Sequence, residues 1–99
     1  MRKPEAEKAN IERFNLLVGQ IMDKLIEACP VPMGFSAEDL GLQAGKWSEL
    51  DYLPSDDETF LDSALKWLAA EGFIRGEKEF VISLKGLELY GRVPNRLKA

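Results

Sequence analysis

From Ile11 onward, apolar residues recur at steps of three and four: Ile11, Phe14, Val18, Ile21, Met22 and Leu25. That spacing puts them on one face of a helix. Leu17 and Ile26 widen the face to about half the circumference, more than the stripe a surface helix needs. Leu16 points away from it. Cys29-Pro30-Val31-Pro32 stops the run, because proline has no amide to donate and its ring clashes with the preceding turn. The pattern predicts a first helix over about residues 10–28.

Three further starts follow. Ser36 reads as an N-cap with Asp39 three residues on, and Phe35 and Leu40 are placed as a hydrophobic staple. Gly41 and Gly45 keep that second helix short. Residues 42–54 read as a loop with a helical turn near 46–50. The third start is the clearest. Ser55 with Glu58 makes a full capping box, and Asp56, Asp57 and Glu58 favour the positive end of the helix dipole. Phe60, Leu61, Ala64, Leu65 and Leu68 form its stripe, and Gly72 supplies the left-handed residue that ends it, giving a helix over about 56–71. Phe60, Ala64 and Leu68 are expected to pack on Phe14, Ile21 and Leu25. The period then becomes two. Phe73-Ile74-Arg75 and Phe80-Val81-Ile82 flank Gly76-Glu77-Lys78-Glu79 as a β-hairpin. Ser83 caps a last short helix with Leu84, Leu87 and Tyr90.

The organisation is a flexible N-terminus at 1–9, one domain at 10–92 and a flexible tail at 93–99. Ninety-nine residues suit a single core. The expected class is mainly α with a small β-hairpin. The chain has no histidine and one cysteine, Cys29. That removes the commonest general base and metal ligand, the usual nucleophilic triads, and any disulfide, zinc or iron–sulfur site within one chain. No catalytic, metal or cofactor residues are expected. No apolar run approaches the ~20 residues of a membrane span. The N-terminus lacks a secretory pattern, so the expected compartment is the cytoplasm.

Lookalikes reduce to ordinary structure. Gly41-Leu42-Gln43-Ala44-Gly45-Lys46-Trp47-Ser48 has one residue too few between its glycines for a P-loop, and Trp47 stands where Ser or Thr would hold magnesium. Asp56, Asp57 and Glu58 point about 100° apart on a helix and cannot converge on one ion without other ligands. Cys29 reads as a structural cysteine.

The residues Leu65-Lys66-Trp67-Leu68-Ala69-Ala70-Glu71-Gly72-Phe73-Ile74, followed by Ile82-Ser83-Leu84-Lys85-Gly86-Leu87-Glu88-Leu89, resemble the ending of many bacterial winged-helix proteins. There a recognition helix leads through Gly-hydrophobic-Ile into a wing and then Leu-Thr-x-Lys-Gly. Ser83 stands where threonine is usual. The resemblance implies a winged-helix domain, like small bacterial or phage winged-helix proteins. It also implies a third helix in the DNA major groove, with a wing on phosphate.

Charge argues against that role. Residues 36–71 carry nine acids against two bases, and residues 72–99 carry three acids against six bases. The outward face of the third helix should present Glu58, Thr59, Asp62, Ser63, Lys66 and Ala70, with Asp56 and Asp57 at its start. Such a face repels a polyanion. The function expected is therefore a non-enzymatic winged-helix module working through protein contacts, as a homodimer or a small regulatory subunit. The candidate interface is Leu16, Met22, Ile26, Trp47, Tyr52 and Trp67, with Met22 and Ile26 on the surplus edge of the first helix. The alternative is a DNA-binding regulator contacting phosphate through Arg75, Lys78, Lys85, Arg92, Arg96 and Lys98.

Overall fold

The computed structural model describes the backbone of residues 4–98 and the side chains of residues 10–98. Of the expected flexible ends, residues 1–3 and 99 lie outside the described residues. Helix α1 spans Pro4–Ala28, so it begins before the apolar period does. A 3-10 turn at Glu38–Leu40 follows, then strands β1 (Lys46–Ser48) and β2 (Asp51–Leu53), helix α2 (Asp56–Ala70), strands β3 (Ile74–Gly76) and β4 (Phe80–Ile82), and helix α3 (Leu84–Leu89). A second 3-10 turn, Asn95–Leu97, lies near the C-terminal end. The chain is mainly α with two small antiparallel hairpins.

One core joins these elements. Ile21, Met22 and Leu25 of α1 are fully buried with Ile74 of β3. Ala64 and Leu68 of α2 enter the same cluster, and Phe14 and Phe60 pack at its edge, as the periodicity predicts. In the second hairpin Ile74 faces Ile82, Arg75 faces Val81 and Gly76 faces Phe80. Phe80 also pairs on its other side with Met33, through Met33 N–H to Phe80 O at 2.9 Å and Phe80 N–H to Met33 O at 2.8 Å. The loop after α1 thus adds a third, one-residue rung to the sheet.

Two expectations for residues 36–54 change. Ser36 Oγ accepts the Asp39 amide at 3.2 Å, but the element it starts lasts a single 3-10 turn. Gly41 at φ 70° ends it, with Leu42 N–H reaching back to Ala37 O at 2.8 Å. The helical turn expected near 46–50 is instead the β1–β2 hairpin, with Trp47 opposite Tyr52. Its two-residue turn puts Glu49 at φ 52°, a left-handed conformation that sequence reading expects of glycine or asparagine. The aromatic pair across the strands, 5.2 Å between ring centroids, favours the pairing.

The residues after α2 close its end. Gly72 adopts φ 83°, and Phe73 N–H bonds Leu68 O at 3.0 Å, a Schellman ending. Ser83 Oγ donates to Gly72 O at 2.5 Å and accepts the Gly86 amide at 3.1 Å, so one hydroxyl finishes α2 and starts α3. Lys85 Nζ donates to Glu71 O at 2.7 Å. Gly86 sits where a Cβ would lie 2.5 Å from Phe73 O and 2.7 Å from Ile82 Cγ1. Each residue of Ser83-x-Lys85-Gly86 therefore has a task in one corner. A helical glycine replaced by alanine ordinarily gains about 1 kcal/mol. Here Gly86→Ala is expected to cost about 1–3 kcal/mol, since backbone must move to admit the methyl group. Urea midpoints of the two proteins check the sign.

Candidate docking surface

The apolar stripe of α1 runs from Ile11 to Ile26, about 24 Å at 1.5 Å per residue, close to the length of α2 at about 22 Å. Ile11, the first residue of that stripe, is 68% exposed. Beside it the Phe14 ring meets Trp67 of α2 edge-on at 5.3 Å, and Trp67 stacks on Phe73 at 6.4 Å. Trp67 belongs to the core rim on one side and remains 47% exposed on the other. Two apolar clefts adjoin this row. One of about 290 Å³ runs towards Val18, Met22, Phe73, Leu89 and Tyr90. The other, about 330 Å³, runs towards Asn10, Phe60, Ser63 and Ala64. Ile11, Phe14 and Trp67 line both.

The expected interface residues separate. Met22, only 1% exposed, is buried in the core, and Ile26 packs against it. The edge expected to be surplus is closed at Met22 by α3. Met22 Cε lies 3.1 Å from where a Cβ on Gly86 would stand. Leu16 is 71% exposed but falls about 140° around α1 from Ile11. Trp47 and Tyr52 belong to the β1–β2 hairpin; of the six, Trp67 lines both clefts and buried Met22 the floor of one. Sequence reading missed Ile11, Phe14, Phe60, Phe73, Leu89 and Tyr90 as surface. No signal in the sequence separated them from core positions, since most lie on the apolar periods themselves.

The acidic start of α2 holds the β1–β2 hairpin in place. Asp57 Oδ1 takes Arg13 Nη2 at 2.6 Å, and Oδ2 takes the Gln43 amide at 2.8 Å. Ser55 Oγ donates to Gln43 O at 2.5 Å. Glu58 completes the capping box with Ser55 and accepts the Tyr52 hydroxyl, with 2.7 Å and 2.9 Å to its two oxygens. The Gly45 amide donates to the same hydroxyl at 3.1 Å. Asp57 and Glu58 are therefore engaged below the outward face, contrary to the expected display of four carboxylates. That face presents Thr59, Asp62, Ser63, Lys66 and Ala70, with Asp62 and Lys66 paired at 2.8 Å.

Of the candidate phosphate contacts, Lys85 is committed to Glu71 O and lies 4.5 Å over the Phe73 ring. Arg75 is exposed on β3, Lys78 in the β3–β4 turn, and Arg92, Arg96 and Lys98 beyond α3. Among the described residues no cluster of carboxylates or cysteine could hold a metal ion. No described helix is long and apolar enough to cross a membrane.

These bonds give the network a pH signature. The Gln43 amide and then the Arg13 guanidinium hold the Asp57 carboxyl below its ordinary value. The Tyr52 hydroxyl and the Ser55 amide do the same for Glu58. Stability from both is full above the ordinary carboxylate range and is lost as pH falls through their lowered values. Tyr52 is raised, first by its bond to Glu58, so its contribution is lost as pH climbs above the ordinary tyrosine range. Urea midpoints against pH should fall at both extremes. Glu58→Gln is expected to flatten the acid limb, and Tyr52→Phe the alkaline one. No family model matches the chain, and neither a curated protein nor a solved structure does.

Proposed function

We propose that this chain is a winged-helix module without catalytic activity, working through protein contact, with a second copy seated on the clefts beside Trp67. The fold part of the reading is supported by the order α1, Met33 rung, 3-10 turn, α2, β3–β4 hairpin, with the β1–β2 hairpin inserted before α2, and by the Ser83-x-Lys85-Gly86 corner. The observation that carries the function is Ile11. It is a large apolar side chain, mostly exposed, on the lip of two apolar clefts of its own surface. Knob and hole on one patch are what a two-fold contact needs, since each copy then fills the other. Leu89, also exposed, extends the patch along α3.

Groove reading by α2 is disfavoured on two counts. Its outward face offers one lysine, already paired, and no arginine, asparagine or glutamine. The β3–β4 turn, the wing on this reading, carries Glu77 and Glu79 around Lys78.

Sedimentation equilibrium at tens of micromolar tests the contact. A dimer is expected for the native chain, a monomer for Ile11→Glu, and an unchanged dimer for Leu16→Glu on the far side of α1. A native monomer across the range would exclude the second copy. In a mobility-shift assay at physiological salt, random duplex should bind no better than the non-specific range of about 10⁻⁴–10⁻⁶ M. Tight binding abolished by Asp62→Ala would reinstate α2 as a DNA reader.

A further inference from the structure

The β1–β2 hairpin lies outside the surface just described, and its side chains point to a separate task. Leu50 at its turn is 94% exposed and Trp47 is 74% exposed, with Leu53 also open. Isolated exposed leucines are ordinary. Two as open as Trp47 and Leu50 at one hairpin tip are not; Leu53 lies on the opposite face of the two-stranded ribbon. The turn that raises Leu50 places Glu49 at φ 52°, the one non-glycine residue with positive φ among the described residues. That conformation disfavours an L side chain, and such outliers gather where function holds them.

The base of the hairpin is fixed. Tyr52 is tied to Glu58 and Gly45, and Gln43 is tied through both backbone groups to Ser55 and Asp57. A held base with an open apolar tip is preorganised, so a partner would lose little entropy in ordering it. Charge says what kind of partner. Glu49, Asp51 and Asp56 surround the tip and base, all exposed and none in an ion pair among the described residues, against Lys46 alone. Nucleic acid and anionic lipid are repelled by such a rim.

We infer that the β1–β2 hairpin is a docking finger whose partner is a protein presenting an apolar pocket rimmed by lysine or arginine. Leu50 and the open edge of Trp47 enter the pocket, and Glu49 and Asp51 meet its rim. The inference uses no residue of the Ile11 surface and stands or falls apart from the two-fold contact.

The chain has two tryptophans, one on each surface, so one spectrum reads both. The probe is a designed two-helix hairpin peptide whose groove between leucine rows is edged by lysine, with its leucine–glutamate counterpart as control. Both are titrated into ¹⁵N-labelled protein at physiological salt. The expected result is a saturable shift of the Trp47 indole with the lysine peptide alone, while Trp67 stays in place. Leu50→Glu should weaken binding by about tenfold or more, as loss of a central anchor does. The sign is diagnostic, because a merely electrostatic contact would strengthen when that variant adds a negative charge. Glu49→Lys with Asp51→Lys should weaken it as well.

Several results would overturn the inference. They are no saturable shift at Trp47, equal binding of the glutamate peptide, or unchanged or tighter binding by Leu50→Glu. A Trp47 shift that grows with protein concentration alone would assign the finger to a second copy. Co-sedimentation with phosphatidylcholine vesicles, lost in Leu50→Glu, would assign it to a bilayer.

Discussion

A helix leaves four amide donors at its start and four carbonyl acceptors at its end without partners of their own. In this chain much of what surrounds α2 serves those two ends. At the start, Ser55 and Glu58 take each other's amides. Asp57 and Ser55 reach past them to hold both backbone groups of Gln43. At the finish, Gly72 turns the chain and Phe73 returns an amide to Leu68. Ser83 and Lys85, arriving after the second hairpin, bond the carbonyls of Gly72 and Glu71. Each hairpin is thus anchored to one end of the same helix, and α1 meets its start through Arg13 and Asp57 and its body through the core.

This arrangement decides what α2 has left for recognition. Two of its three leading carboxylates are consumed in holding the first hairpin, and its last turn is covered by Lys85. The remaining outward face is short, weakly charged and internally paired at Asp62–Lys66. The features that stay open are apolar and lie to its sides: the row of Phe14, Trp67 and Phe73 on one flank, and the finger at Trp47 and Leu50 beyond its start. On the proposed reading, α2 serves as the scaffold between two contact surfaces rather than as a reader of DNA.

The parts of this fold legible in the sequence are those with local physics. Ser55–Glu58, Gly72 and the period-two run at 73–82 each announce themselves within a few residues, because caps and alternation are short-range. The first hairpin was hidden for the opposite reason. Its strands are three residues each, with no buried face to impose alternation, and its turn uses Glu49 where glycine would have signalled it. The Met33 rung was hidden in a proline-rich loop, since a single residue carries no period. Asp57 and Glu58 read correctly as helix-start residues, but their second partners, Arg13 and Tyr52, are tertiary.

The misplacement of the expected interface is instructive in the same terms. Half a helix circumference of apolar residues is more width than one neighbour covers. Here α1 meets α2 on one side and the second hairpin with α3 on the other, and Gly86 lets α3 approach until Met22 is sealed. Width is therefore consumed. The open surface is set at one end of the stripe, where Ile11 is left mostly exposed beside Phe14 and Trp67, a position along the axis that a helical wheel cannot display because it projects the axis away.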